Sequence, residues 1–237
     1  MSGSGFFQEA KPWRDHRRGR TPVRTRTRRE VRIDGALVTE IFHVLYEDFS
    51  TDRNVRVAPS PELTAQEERA LLAGELRPDA PVLFTLVSGK LWTDFLSSST
   101  VISNLISFRL VEILERERVT GWATYRTNVF SRAGALLSAD YGGLAVTGRS
   151  GPVDDSLSAE VDRLAPKAGG ARRVLVGLRF QPGSWDGSDI FLAGGRGFIF
   201  VTQRVRELFE RERVTNARFK RAEDIERRLP GIISRNG

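Results

Sequence analysis

Residues 107–120 and 202–215 are near copies of one another, and this repeat constrains the fold more than any other feature of the sequence. Ser107-Phe-Arg-Leu-Val-Glu-Ile-Leu-Glu-Arg-Glu-Arg-Val-Thr120 aligns without a gap with Thr202-Gln-Arg-Val-Arg-Glu-Leu-Phe-Glu-Arg-Glu-Arg-Val-Thr215, eight of fourteen positions being identical and four more conservative. The apolar positions recur at i, i+3 and i+4, so each copy predicts a helix with one buried face. Ser107 and Thr202 stand where an N-cap should accept from a free N–H of the first turn. Glu112 to Arg116 and Glu207 to Arg211 are i to i+4 pairs in the favoured order, which predicts a self-stabilised, solvated charged face.

Apolar runs precede the two helices (104–106 and 198–201) and strand-like stretches follow them (122–129 and 217–219). The unit is therefore strand, helix, strand, at about 92–129 and again at about 187–224. A single hydrophobic layer shared by both units predicts an α+β fold with a mixed, mainly antiparallel sheet and two equivalent packed helices. Asp94 and Asp189 obey the same offset, each lying 15 residues before an arginine of the first helical turn, Arg109 or Arg204. An arginine there opposes the helix dipole, so a carboxylate from the preceding loop is one expected partner, as a bidentate pair. The other is Glu112 or Glu207 on the helix surface.

Charge divides the chain unequally. Its 237 residues carry a net charge of +7, and Lys11 with nine arginines against three acids place a +7 excess within residues 1–32, leaving 27 basic and 27 acidic residues elsewhere. A basic arm over 1–36 is expected before a single domain over 37–237. The arm has two readings, a tracker of phosphate or acidic surfaces and a self-repelling extension, with a later natural start as a further alternative. Its last residues, where Thr25, Thr27 and Val31 alternate with arginines, fit an edge strand. With no cysteine, the chain has no disulfide, thiolate metal site or cysteine nucleophile, and with only His16 and His43 it has little scope for histidine catalysis. The absence of a long apolar run or leader pattern makes the cytoplasm the expected location and excludes a membrane partner.

Within the body, residues 37–46 and 82–87 read as strands, the second an unbroken apolar run expected to be covered on both faces. His43 then reads as a packed strand residue. Thr64-Ala-Gln-Glu67 is a capping box that starts a helix over about 65–73. Residues 141–147 and 173–180 are further strands, and the Gly/Pro/Ser-rich segment 148–170 between them reads as loop with a weak helix at 158–164. The loops Gly194-Gly-Arg-Gly197 and Gly148-Arg-Ser-Gly151-Pro152 lack the P-loop ending, and Ser150 lacks the nucleophile-elbow glycine. Asp154 with Asp155, and Asp186 with Asp189, lack the spacing of a cation loop, so turn capping is the expected role. Trp92, Trp122 and Trp185 lie beside apolar segments, which predicts core packing.

Several of these pieces occur together: Trp92-Thr-Asp-Phe-Leu96, the Ser-x-Arg helix ending in Val119-Thr120-Gly121, Gly148-Arg-Ser-Gly-Pro152, and Trp185-Asp-Gly-Ser-Asp-Ile-Phe191 before the second helix. In this order they resemble the immunity proteins of bacterial polymorphic-toxin and contact-dependent exchange systems, over about residues 40–225. The resemblance implies a cytoplasmic, non-enzymatic protein that binds one cognate toxin domain and blocks it. Relatives with a double Cys-x-x-Cys-Gly signature are thought to hold a metal; this chain has no cysteine, so no cofactor or zinc is expected. The motif positions Trp92, Asp94, Arg109, Gly148, Gly151, Trp185, Asp186, Asp189 and Arg204 are expected to fix turns and pack the sheet, and the resemblance supplies no toxin-contact residues. The rival readings are a nucleic-acid-binding protein acting through residues 1–32, and a hydrolase built on converging carboxylates.

Overall fold

A computed structural model describes residues 32–33, 36–37, 40–48, 50–98, 100, 103–165, 170–194 and 197–228. The basic arm before residue 32, residues 195–196 of the second glycine-rich loop and the segment after 228 lie outside the described residues. The strands β1 (Arg32–Ile33) and β2 (Ala36–Leu37) pair with each other and, among the described residues, with no other strand; the edge strand expected at Thr25, Thr27 and Val31 lies outside the described residues. There follow β3 (Phe42–Glu47), β4 (Arg56–Pro59), α1 (Ala65–Leu72), β5 (Val82–Ser88), β6 (Phe95–Ser97), β7 (Asn104–Ser107), α2 (Phe108–Arg116), β8 (Trp122–Phe130), β9 (Leu136–Ser138) and β10 (Tyr141–Val146). The chain continues through β11 (Gly148–Ser150), β12 (Ala159–Ala165), β13 (Gly170–Val176), β14 (Ile190–Ala193), β15 (Ile199–Thr202), α3 (Gln203–Arg211), β16 (Ala217–Arg221) and β17 (Glu226–Arg228).

The fold is α+β, with mixed and mainly antiparallel pairing; among the named strands the parallel pairs are β5 with β8 and β11 with β14. The strands do not form one sheet. One sheet runs β4-β5-β8-β10-β7-β6, with β9 added on β8; a second runs β11-β14-β15-β3-β16, and a third is β12-β13-β17. Val57 of β4 bridges to Ser98 beyond β6, so the first sheet curls round an apolar interior of Val57, Phe84, Leu96, Leu105, Val129 and Tyr141. Curling hides edges that would otherwise pair with other chains.

The two sheets share a register. Moving the pairs Phe95↔Ile106 and Leu96↔Leu105 of β6–β7 on by 95 residues yields Ile190↔Val201 and Phe191↔Phe200 of β14–β15. The strand between β7 and β8 is β10, in which Gly142 faces Ile106 and Arg126. The strand between β15 and β16 is β3, in which His43 faces Val201 and Arg221, so β3 corresponds to β10 at an offset of 99. The second sheet therefore takes an interior strand, next to its edge strand β16, from the beginning of the folded body. Both helices lie over one apolar cluster: α2 contributes Leu110, Ile113 and Leu114, α3 contributes Val205, Leu208 and Phe209, and strands of both sheets supply Phe95, Ile106, Trp122, Ile190 and Val201.

The helix α1 begins at the expected capping box, Thr64 Oγ1 accepting from Glu67 N while Glu67 Oε2 accepts from Thr64 N. It packs Leu71 against Tyr125 and Ala145, and its Glu68 carboxylate, buried at 3 % exposure, accepts from Ser103 Oγ at 2.8 Å and Thr100 Oγ1 at 2.6 Å. Those two hydroxyls supply the hydrogen bonds a buried carboxylate needs.

Three expectations are corrected. Strand β5 is covered on one face only: Phe84 is buried while Leu83 and Val87 are exposed, because its outer side meets no second layer. Residues 159–165 are a strand, not a weak helix: Ala159 to Ala165 pair residue for residue with Val176 to Gly170 of β13 in an antiparallel hairpin. Trp92 is exposed, its ring resting against Tyr141 at 5.6 Å, whereas Trp122 is buried and Trp185 half-buried as expected of core-facing residues. Among the described residues no helix is long and apolar enough to cross a membrane.

Strand β10 is buried along its whole length, and a Cβ on Gly143 would lie 2.0 Å from Cζ of Tyr125. Tyr125 is enclosed beneath α1 and cannot swing aside. Gly143→Ala is therefore expected to lower unfolding free energy by about 1–3 kcal/mol, the usual cost of overpacking, as measured by urea denaturation; an unchanged midpoint would contradict this packing.

Candidate functional site

The motif residues converge on two matching junctions between the units 92–129 and 187–224. In the first, Arg109 at the start of α2 donates through Nη1 to Asp94 Oδ2 at 2.8 Å, and its Nη2 donates to the carbonyl of Glu212, beyond α3, at 2.6 Å. In the second, Arg204 donates through Nη1 to Asp189 Oδ2 at 2.7 Å, and its Nη2 donates to the carbonyl of Glu117, beyond α2. The guanidinium thus divides its fork between its own unit's carboxylate and the other unit's backbone, so the expected bidentate pair does not form.

Each carboxylate also crosses to the other unit. Thr215 donates to Asp94 Oδ2 from both N and Oγ1, at 3.0 and 2.9 Å, and its Oγ1 accepts from Asp94 N at 2.8 Å. Thr120 stands in the same relation to Asp189, with N and Oγ1 donating to Oδ2 at 3.0 and 3.1 Å and Oγ1 accepting from Asp189 N at 3.0 Å. Ser107 Oγ donates to Asp94 Oδ1 at 2.9 Å while accepting from Leu110 N as the N-cap of α2. At Thr202 the hydroxyl lies 3.4 Å from Asp189 Oδ1 and makes no cap bond, which corrects the expectation for that helix. Burial pushes the Asp94 carboxyl up, but the bonds from Thr215, Ser107 and Arg109 outweigh it and hold it below the ordinary aspartate value. Four donors occupy the acceptor sites of that carboxylate.

The charged tails of the helices add a second reciprocal contact. Arg116 reaches Glu212 at 2.8 Å and Arg211 reaches Glu117 at 3.3 Å, so the repeated Glu-Arg-Glu-Arg face joins the units and is not merely solvated. Both helices end in the same backbone arrangement. Val119 N donates to Leu114 O and Val214 N to Phe209 O, with Arg118 and Arg213 in the left-handed region at φ 53° and 52°. This is the six-to-one closure in which glycine is usual. Three residues on, Gly121 at φ 84° comes so close to the Ile190 carbonyl that a Cβ would lie 2.0 Å from it. Its counterpart Asn216, at φ 64°, places a side chain there and donates from Nδ2 to the Phe95 carbonyl at 2.7 Å.

The other motif positions fix turns. Asp186 accepts from Arg149 N at 2.8 Å and from Ser188 N at 3.0 Å, and Trp185 Nε1 donates to the Ser188 carbonyl while its ring packs on Phe42 and Phe191. A Cβ on Gly148 would lie 2.2 Å from the Ile190 carbonyl, and one on Gly151 would lie 2.8 Å from Ser184 Cβ. Asp154 accepts from Ser156 and Gln181, and Asp155 pairs with Arg227 at 2.6 Å. These two acids border a shallow, open depression of about 400 Å³ with Gly151, Gln181 and Ser184. His43, buried in β3, donates from Nε2 to Gln203 Oε1 at 2.6 Å.

Sequence reasoning brought Asp94 to Arg109 and Asp189 to Arg204 but missed Thr120, Thr215, Asn216 and the buried Glu68. The identical Val-Thr ending of both repeats was the available signal for the two threonines. No protein-family model matches the chain, and no curated protein does.

Asp94→Ala removes the acceptor for Thr215, Ser107 and Arg109 together. Arg109 is half-exposed, so its ion pair adds little; the amide and hydroxyl donors dominate, and a loss of about 2–3 kcal/mol is expected. Chemical denaturation checks it, and a loss below about 0.5 kcal/mol, as for an ordinary surface charge, would contradict the clasp.

Burial foremost, with the charges of Arg206 and Arg221, lowers the His43 pKa against the opposing effects of Gln203 and Glu210. The folded state thus prefers the neutral ring, a contribution present above the unfolded value of about 6.5 and lost as pH falls below it through the lower folded value. Unfolding free energy should decline from pH 7 to 5, and His43→Gln should flatten that decline; an equally steep decline in the variant would contradict the assignment.

Proposed function

We propose that the chain is a non-catalytic, cytoplasmic protein that binds one cognate bacterial toxin domain and neutralises it through a protein–protein interface. One observation carries this reading. The motifs on which the resemblance to toxin-immunity proteins rests meet in space, and their polar groups are taken up by one another: Asp94 with Thr215 and Arg109, Asp189 with Thr120 and Arg204, Asp186 with Arg149. A carboxylate whose acceptor sites are filled by fixed donors is suited to holding a scaffold together. Recognition of a partner then belongs to the outward-facing side chains.

The scaffold itself is read as a duplicated unit. The offset of 95 residues in the β6–β7 and β14–β15 registers, the offset of 99 between β3 and β10, and the reciprocal junctions all support two halves, each of which supplies an interior strand of the other's sheet. Co-expression tests the functional reading. Growth of cells making the toxic C-terminal domain of a secreted protein encoded immediately upstream should be restored by this chain, and the two should co-purify; continued toxicity in the presence of abundant, folded chain would overturn it.

A further inference from the structure

We propose that the outward face of β5, β8 and β9 is a docking surface for an acidic, apolar protein segment. Across these three strands, Leu83 pairs with Asn128, Thr85 with Phe130, and Phe130 with Leu136, which places Leu83, Thr85, Asn128, Phe130 and Leu136 on one side, while Val87 is the extra residue of a bulge against β4. The opposite side carries Phe84 and Val129, both fully buried, so the alternation of the strands assigns Leu83, Phe130 and Leu136 to the outside of the curled sheet. Leu83, Val87 and Leu136 are 46, 37 and 53 % exposed. Exposed apolar side chains on neighbouring strands, interspersed with Thr85 and Asn128, make a mixed patch of the kind that marks an interaction site.

Charge chooses the occupant. Arg126 lies on the same face of β8, and its Nη2 donates to the Asp79 carbonyl; Arg132, just beyond β8, donates from Nη2 to the Val87 carbonyl at 2.7 Å. A carbonyl accepts a hydrogen bond without neutralising the cation, and among the described residues neither guanidinium meets a carboxylate. A second copy of the chain would set these cations against their own kind. A segment carrying carboxylates beside leucine-like side chains satisfies both the apolar area and the two charges. The partner's identity as a toxin rests on the reading above; the chemistry of the surface does not.

The test uses the full chain and two synthetic probes, a peptide alternating Leu and Glu and one alternating Leu and Lys. The Leu-Glu peptide should bind at least tenfold more tightly. Leu83→Glu with Leu136→Glu, both at exposed positions and leaving the unfolding midpoint unchanged, should weaken it by tenfold or more, and Arg126→Ala with Arg132→Ala should reduce its salt dependence. Equal binding of both peptides, binding of Leu-Glu that survives the double glutamate variant, or self-association abolished by that variant would overturn the proposal. The co-expression assay stays separate: protection without this peptide selectivity refutes the surface alone, and selectivity without protection refutes the toxin role alone.

Discussion

The carboxylate that serves the segments 92–129 and 187–224 at once is the interaction on which the arrangement depends. Asp94 belongs to the loop before β6, but its donors include the threonine that ends the second helical unit, and Asp189 is bound in the same way by the threonine ending the first. Each aspartate orients the arginine of its own helix, and that arginine reaches across to the carbonyl chain leaving the other helix. Neither junction can be completed by one unit alone. The hydrophobic layer beneath has the same character, because its buried residues come from both helices and both larger sheets. Apolar burial supplies the driving force, and the directional bonds select the one packing in which the two units interlock.

The two junctions reach one geometry by different local means, and the differences follow from the residues available. At the first turn after α2 the chain passes the Ile190 carbonyl so closely that only glycine fits; after α3 the same bend is made by Asn216, whose side chain satisfies the Phe95 carbonyl and also meets Asn54 and Glu47. Asparagine tolerates the left-handed region better than most residues, so it can replace glycine where a polar contact offsets the strain. Arg118 and Arg213 accept the same backbone region at both helix ends without such help, at a cost of about 1 kcal/mol each. The valines that follow them, Val119 buried and Val214 partly buried, tie both closures to the shared apolar layer.

Local periodicity made much of the fold legible. The one-faced helices, the capping box of α1 and the strands over 82–87 and 141–147 needed only nearest-neighbour chemistry, and the Asp-Arg spacing needed only the repeat. What stayed hidden depended on distant parts of the chain. Leu83 and Val87 look like core residues in an unbroken apolar run, yet whether a second layer covers them is decided by topology. The hairpin of β12 and β13 has a polar strand whose alternation is masked by arginines and acids, so its turn-rich surroundings suggested loop. The entry of β3 between β15 and β16 left no mark in composition, because an interior strand reads the same whichever sheet receives it. Thr120 and Thr215 were visible as identities, but their partners lie 69 and 121 residues away.

If the two units are interlocked as described, they cannot unfold independently. Native-state hydrogen exchange measures this directly, by comparing the opening free energies of amides in β7 with those in β15. Interlocked units should give the same value in both strands, equal to the global unfolding free energy. Opening of β15 and its neighbours at a clearly lower free energy, with β7 still protected, would contradict it.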